Sequence, residues 1–176
     1  MRIKSLNISN GGIPKTPVKK IEITKTGMVG DAHNHSKHGG IMQAISMIDF
    51  EIIKQLKKSG FSIAPGSLGE NITLENTRVQ NLCIGDVIFF EHGVILEISR
   101  VRKPCYVLDS ISKDFKKNLW NKIGMYARVL HGGFLIENES VLKINKKSSQ
   151  KRSTLPVPKG CVDGSKSLPD GFNESP

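Results

Sequence analysis

The sequence contains few aromatic residues and few cysteines, and it has no long apolar run. Aromatic residues make up 6% of the 176 residues, which leaves few side chains on which nucleic-acid bases could stack. No apolar stretch approaches the roughly 20 residues that a membrane-spanning helix needs, and the first residues lack the apolar segment of a secretory signal. Three cysteines cannot all pair within one chain. We therefore expect a cytoplasmic protein with no membrane partner.

The composition suits one soluble globular domain with a basic surface. Hydrophobic residues make up 38% and charged residues 24% of the chain, and 176 residues allow one well-buried core but not two ordinary domains. The formal net charge of +10 favours an anionic partner, which could be a nucleic acid, a phosphorylated cofactor or a membrane surface. Lysine pairs such as Lys57-Lys58 are also typical of ordinary solvated surface, so charge alone does not choose among these partners.

Short segments with alternating apolar residues predict a fold made mainly of β-strands. The predicted strands are Ile3 to Ile8, Val18 to Thr24, Asn71 to Leu74, Asp86 to Glu91, Val94 to Val101, Tyr126 to Leu130 and Phe134 to Ile144. The first two of these are predicted to pair. A helix is predicted from Asp49, which can cap its start, to Ser59, just before Gly60. A second helix is predicted from about Ser112 to Lys122.

The C-terminal part of the chain has a different composition from the rest. From about Lys146, lysine and serine lead into a segment rich in proline, glycine and serine with few large apolar residues. Such a segment buries too little apolar surface to fold alone. We therefore expect a domain over residues 1–145 and a flexible basic tail over residues 146–176.

Cys105 is the strongest candidate for a reactive residue. It follows Arg102, Lys103 and Pro104 at the end of a predicted strand, and two cations beside a thiol favour the thiolate, which attacks electrophiles and binds soft metals. Pro104 should end the strand and place the next side chain at a sheet rim. A buried cysteine that packs as a small apolar side chain explains the same residues equally well.

Three of the five histidines lie within six residues, at His33, His35 and His38. Such a cluster can bind zinc or copper, although the pair of histidines four apart on a helix that marks a metalloprotease is missing. Gly39 and Gly40 can form a concave turn whose N–H groups bind an anion. His38 could donate a hydrogen bond to the same ligand, and a zinc enzyme remains an alternative function.

Two further segments contain candidate binding residues. In the segment Pro65 to Asn71, two glycines bracket Ser67. Such a loop could wrap a polar ligand and bind it through backbone groups, Ser67 and Asn71. An ordinary tight turn explains the pattern as well. Arg128 lies within an apolar predicted strand. It needs an anionic or hydrogen-bonding partner if it points inward, and it is a surface charge if it points outward.

Taken in order, these motifs resemble the signature of the MOSC domain, which is named for the C-terminus of molybdenum-cofactor sulfurase. The motifs are Gly30-Asp31, His38-Gly39-Gly40, Pro65 to Asn71, Gly85-Asp86, Arg102-Lys103-Pro104-Cys105 and Gly124 to Leu130. The resemblance covers about Ile3 to Ile144 and implies a β-rich, barrel-like fold with peripheral helices. The chain departs from the MOSC pattern at Asn138-Glu139, where relatives often have a Gly-Asp pair before the last strand. We expect this difference to alter a turn.

The resemblance also implies a cofactor and a set of site residues. Cys105 would ligate molybdenum or carry sulfur as a persulfide, with Arg102 lowering the pKa of its thiol, and Asp31 would orient a neighbour such as His38. The residues that would hold the molybdenum cofactor or an anionic substrate are His38, Gly39, Ser67, Asn71 and Arg128. Relatives that hold this cofactor reduce N-hydroxylated compounds.

The partners implied are a small-molecule cofactor or substrate and a sulfur-donating or redox partner protein. Pyridoxal phosphate occurs in relatives through fused partner domains, and it is not expected in this domain itself. The alternative of a different class is a basic β-barrel binding module for nucleic acid or another anionic ligand, which the net charge favours. The low aromatic content argues against nucleic acid as the partner.

Overall fold

The computed structural model describes residues 1–32, 39–104, 108, 119 and 123–147. Within this part of the chain the fold is mainly β, as predicted. The strands are β1 Arg2–Ile8, β2 Thr16–Val18, β3 Lys20–Thr24, β4 Gly27–Met28, β5 Ile45–Asp49, β6 Ile72–Glu75, β7 Val87–Phe90, β8 Ile95–Val101, β9 Met125–His131, β10 Gly133–Ile136 and β11 Val141–Asn145. The helices that lie wholly within the described residues are α1 Phe50–Lys58 and two 3-10 helices, Ile41–Gln43 and Val79–Asn81. None of the described helices has the length and apolar character needed to cross a membrane.

The strands form one large curved sheet and one small sheet. The large sheet has the order β11-β7-β8-β9-β5-β6-β1-β2, and the small sheet has the order β10-β3-β4. Neighbours in the large sheet are antiparallel except β5 and β6, which are parallel. An isolated bridge joins Arg2 to Ser140, and the Ile3 N–H donates to the Glu139 carbonyl at 2.9 Å. The start of β1 thus meets the chain just before β11, which makes the sheet barrel-like without closing it through regular strand pairing.

Apolar side chains occupy both faces of the large sheet, but in different regions. The inner face holds the main core, which includes Ile3, Leu6, Ile45, Met47, Ile72, Leu74, Leu96, Ile98, Met125 and Ala127. A second cluster around α1 lies on the outer face and contains Ile48, Ile53, Leu56, Ile63, Leu68, Leu108, Leu119 and Ile123. Because strand side chains alternate between faces, the residues between the core positions point to the outer face beside this second cluster.

Two of the predicted strands are each divided in the structure. Val18 to Thr24 forms β2, which pairs with β1 as predicted, and β3, which pairs instead with β10 and β4. The alternation explains the break, since Val18 is out of phase with Ile21 and Ile23, and one continuous strand would place them on opposite faces. Phe134 to Ile144 forms β10 and β11, separated by a turn in which Asn138 has a φ of 69°.

The predicted helix from Asp49 to Ser59 is confirmed as α1, but Asp49 does not cap it through its side chain. The Asp49 carboxylate instead accepts a hydrogen bond from the Val79 N–H at 2.9 Å and so ties the β5–α1 junction to the second 3-10 helix. Apart from Leu119, the second predicted helix, from about Ser112 to Lys122, lies outside the described residues, as does the tail beyond residue 147.

The stability of the fold should depend on the protonation of Asp49. Burial raises the pKa of this carboxyl from 3.8 to about 6, against the opposing effect of the Val79 N–H. The native protein therefore holds the proton more tightly than the unfolded chain, and ionisation lowers stability as the pH rises from about 4 to about 6. In Asp49→Asn the amide oxygen can still accept from Val79. We expect the stability of this variant relative to wild type to increase by about 2 kcal/mol between pH 4 and pH 7.

Urea denaturation at pH 4, 5, 6 and 7 measures this difference directly, because each pair of curves compares the two proteins in the same buffer. A difference in stability that is constant across the four values would contradict the assigned role of Asp49.

Candidate functional site

A row of polar side chains crosses the outer face of the large sheet, opposite the main core. Ser46 of β5 lies beside Tyr126 of β9 in the strand register. The Asn71 N–H donates to the Ser46 carbonyl at 2.9 Å, and the Asn7 N–H donates to the Asn71 carbonyl at 2.7 Å. Neighbouring strands therefore place Tyr126, Ser46, Asn71 and Asn7 side by side, and we call these four residues the polar row.

The Asn71 side chain is the centre of the polar row. Its Oδ1 accepts from the Ser46 hydroxyl at 2.8 Å and from the Ser46 N–H at 3.1 Å. Its Nδ2 donates to Asp31 Oδ2 at 2.8 Å and to the Asn7 carbonyl at 3.3 Å. Both ends of the buried amide are thus bonded to protein groups. The structure brings the predicted residue Asn71 into the cluster and gives it contacts that fix the positions of its neighbours.

Beside the polar row, Lys15 and Asp31 form a buried ion pair that the sequence did not indicate. Asp31 Oδ2 accepts from the Lys15 ammonium, and its Oδ1 accepts from the Ser9 N–H at 2.9 Å. The two side chains are only 7% and 2% exposed. Burial lowers the pKa of Lys15, and the hydrogen bond that Lys15 donates to Asp31 opposes this effect. Asp31 was expected to orient a neighbour such as His38, which lies outside the described residues; among the neighbours that are described, it contacts Lys15 and Asn71.

Glu70 is a second buried acid, next to Asn71 in the chain. Its Oε1 accepts from the Gly66 N–H at 2.6 Å and from the Thr73 hydroxyl at 2.9 Å. Its Oε2 has no hydrogen-bond partner among the residues that the structure describes. Burial raises the pKa of Glu70, while the Gly66 N–H and the charge of Arg102 act in the opposite direction. The charges of Glu70 and Arg102 also act on the pKa of Lys15. Together with Asp31, these three residues form one cluster of charged groups.

The glycines of the Pro65 to Asn71 loop make room for another segment of the chain. A Cβ on Gly66 would lie 2.3 Å from the Lys15 carbonyl oxygen, and one on Gly69 would lie 2.9 Å from Ile13 Cγ2. Both glycines also have positive φ angles, 88° and 75°, which side chains disfavour. The close passage of the chain that carries Lys15 therefore accounts for both glycines.

Arg102 is buried at the end of β8 and hydrogen-bonded to two separate segments. Its Nη1 donates to the Ile123 carbonyl at 3.1 Å, and its Nη2 donates to the Leu68 carbonyl at 2.9 Å. The guanidinium carbon lies 5.6 Å from the ring centre of Tyr126, in a cation–π contact with the polar row. Among the predicted site residues, the structure thus brings Arg102 and Asn71 to one region of the outer face.

Arg128 lies on β9 two residues beyond Tyr126, so the two side chains share the outer face. The Arg128 side chain is 41% exposed and donates through Nη2 to Glu97 Oε2 at 3.0 Å. Its Nε is buried and has no hydrogen-bond partner in the described ranges. Arg128 therefore points outward, and its charge is paired with that of a neighbouring strand.

The remaining predicted residues have different outcomes. The Ser67 hydroxyl accepts from the Ala64 N–H at 2.9 Å, which is the pattern of a tight turn. Gly39 has a φ of 85°, a backbone conformation that favours glycine. Cys105 and His38 lie outside the described residues, as do His33 and His35. Within the described ranges, no group of three histidine, cysteine or acidic side chains is placed to hold a metal ion.

Solved structures share this fold. YiiM from Geobacillus stearothermophilus matches with a TM-score of 0.65 and 25% sequence identity over 80% of this chain and 73% of that chain. The YuaD protein from Bacillus subtilis matches with a TM-score of 0.65 and 18% identity over 78% of this chain and 92% of its own. YiiM from Escherichia coli matches with a TM-score of 0.62 and 21% identity over 85% and 72% of the two chains. The last two likenesses concern the fold alone.

Sequence comparisons identify the family. A protein from Gibberella moniliformis (strain M3125 / FGSC 7600) named "Reductase" is 29% identical over 126 residues, which are 66% of this chain and 22% of that protein. The chain thus spans about a fifth of that relative. The MOSC domain family profile matches residues 34–142, and this domain is associated with molybdenum-cofactor enzymes. Since the matched region is more than half of the sequence, the chain belongs to the MOSC domain family.

Proposed function

We propose that the chain binds the molybdenum cofactor over the polar row, with Cys105 as the metal ligand or as the carrier of a persulfide. The observation that supports this most is the buried charged cluster of Lys15, Asp31, Glu70 and Arg102 on the outer face. Arg102, the member of this cluster that directly follows β8, lies three residues before Cys105 in the chain. A thiolate is a suitable ligand for a soft transition metal.

The donors at this face suit an anionic group such as the phosphate of a pterin cofactor. Arg102 Nε and Arg128 Nε are both buried N–H groups without a hydrogen-bond partner among the described residues. A buried donor without a partner is costly, and guanidinium groups bind phosphate well. The side chains present are therefore compatible with the cofactor that the family implies.

Each residue then has a proposed part in binding. Arg102 and Lys103 would favour the Cys105 thiolate through their charge. His38 would donate a hydrogen bond to the cofactor or substrate, and Arg128 would bind an anionic group. Asn71 would act by holding Ser46 and Asp31 in place, because its own amide is fully bonded. Ser67 and Gly39 would shape the turns that border the ligand.

The proposed reaction class is the reduction of N-hydroxylated compounds in the cytoplasm. When bound, the cofactor supplies a metal centre that can exchange electron pairs with a substrate. Conversion of an N-hydroxylated compound to the parent amine consumes two electrons and two protons and releases water, so a redox partner protein must deliver the electrons. The reductase name of the Gibberella moniliformis relative fits this class. Sulfur transfer, with a sulfur-donating partner protein, is the second reaction that Cys105 could perform.

Elemental analysis of molybdenum in protein purified anaerobically from a cofactor-producing host tests the proposal. We expect near-stoichiometric metal in wild type, loss of the metal in Cys105→Ser and retention in Cys83→Ser. Cys83 is the matched control because it is a partly buried cysteine in a different segment, between the second 3-10 helix and β7. Equal metal in wild type and Cys105→Ser would overturn the assignment of the ligand. Absence of metal from all three proteins would contradict cofactor binding. Sulfur carriage would then remain as the proposed function, and mass spectrometry would test it by detecting a persulfide on Cys105.

A further inference from the structure

Arg102 connects three segments that are distant in the sequence. Its backbone N–H donates to the Gly124 carbonyl at 3.1 Å at the end of β8. Its guanidinium donates to the Leu68 carbonyl, in the loop from Pro65 to Asn71 that precedes β6, and to the Ile123 carbonyl, just before β9. We call the loop from Pro65 to Asn71 the glycine loop. The side chain is almost fully buried while making these contacts. One residue thus holds the glycine loop and the start of β9 against the strand end that leads to Pro104.

These contacts depend on the shape of the guanidinium as well as its charge. The planar group directs two separate nitrogens at two carbonyls, from Leu68 and Ile123, while its carbon lies 5.6 Å from the centre of the Tyr126 ring. A lysine ammonium at the same position has one nitrogen on a flexible stem and cannot reproduce this fixed fork. A lysine at position 102 would therefore keep the positive charge but lose the paired hydrogen bonds to Leu68 and Ile123.

We propose that Arg102 is a positioning residue whose fork-shaped contacts fix the glycine loop and the start of β9 relative to the end of β8, so that charge alone cannot replace it. This inference rests on the proposed function in one respect: the residue positioned beyond Pro104 is the proposed ligand Cys105. It assigns to Arg102 a geometric role in addition to its electrostatic effect on the thiol.

The test uses Arg102→Lys, which keeps the charge, with Arg100→Lys as the matched control. Arg100 is an exposed residue on the same strand. Both are made in full-length protein in which Cys83 and Cys161 are replaced by serine, so that Cys105 is the single thiol. The first readout is hydrogen exchange at the Ser67 and Gly69 amides, which donate to the Ala64 and Gly66 carbonyls. The second readout is the pH profile of Cys105 alkylation by iodoacetamide.

We expect Arg102→Lys to speed exchange of these loop amides by about tenfold or more relative to Arg100→Lys. We also expect the midpoint of the alkylation profile to move in Arg102→Lys and to stay at the wild-type value in Arg100→Lys. Wild-type behaviour of Arg102→Lys in both readouts would show that charge suffices and would overturn the inference. Faster exchange with an unchanged alkylation midpoint would also overturn it, because Arg102 would then support only the stability of the loop.

A measurement on the unmutated protein covers the case in which Arg102→Lys does not fold. Nitrogen NMR of the arginine side chains reports rotation of each guanidinium, and the fork-shaped contacts predict slow rotation for Arg102 and fast rotation for the exposed Arg100. Fast rotation at Arg102 would overturn the inference. Failure of cofactor binding is a separate outcome, since wild-type protein would then lack molybdenum while the exchange and alkylation results still decide the role of Arg102.

Discussion

Lys15→Met is expected to lower the free energy of unfolding by about 3 to 5 kcal/mol. The substitution removes the cation from a pair whose side chains are almost fully buried, and it leaves the Asp31 carboxylate, which also accepts from the Ser9 N–H and the Asn71 amide, without its ion-pair partner Lys15. Removing one partner of a buried ion pair costs far more than removing an exposed one, because the remaining charge stays desolvated.

Urea denaturation of Lys15→Met, Asp31→Asn and the double variant measures the coupling between the two residues. We expect the double variant to lose about 1 to 3 kcal/mol less stability than the sum of the two single variants. Lys54→Met is the matched control, because Lys54 forms a half-exposed ion pair with Glu51 and should change stability by less than about 1 kcal/mol. Additive effects at Lys15 and Asp31 would show that the pair is not coupled in solution.

Gly66→Ala is expected to destabilise the protein by about 4 kcal/mol or more, or to prevent folding. The added Cβ would lie 2.3 Å from the Lys15 carbonyl oxygen, and the φ of 88° is unfavourable for alanine. The added Cβ is fixed to the backbone of residue 66, and the oxygen it meets belongs to the backbone of Lys15. Neither atom can therefore rotate away as the end of a side chain would. The glycine loop or the chain that carries Lys15 must therefore shift.

Gly60→Ala separates the clash from the backbone strain. Gly60 has nearly the same φ, 89°, but nothing lies within 4 Å of the position its Cβ would take. We expect this control to cost only about 1 kcal/mol, the usual penalty for alanine with a positive φ. Thermal or urea denaturation of the two variants gives the comparison, and equal losses of stability would show that the close approach at Gly66 has no energetic weight.

The sequence predicted most of the sheet because its strands alternate clearly, and the order of the short motifs was sufficient to indicate the family. It predicted less where the alternation changes phase, as between Val18 and Ile21. It also missed Lys15 in the site, because a lysine in an irregular segment carries no local sign of its partner sixteen residues away. Glu70 was not predicted as a buried acid, since its burial arises from the loop and strands that surround it.

The candidate site could be predicted only as separate fragments. Arg102 and Asn71 were singled out individually, but their common location depends on a sheet order that differs from the chain order. Tyr126 lay in a strand that was predicted and Ser46 lay outside the predicted strands, and nothing near either residue showed that the two would be neighbours. Cys105 and His38 remain predictions.

The polar row draws its four residues from β9, β5, the start of β6 and β1, which are neighbours in space but widely separated along the chain. Each neighbouring pair closes a long loop, so the row is complete only after the slow, non-local pairings of folding have formed. No fragment of the chain can therefore form the proposed binding site alone. A ligand that occupies it will bind the native state and not the unfolded chain, and it will therefore raise the melting temperature of the whole domain by mass action.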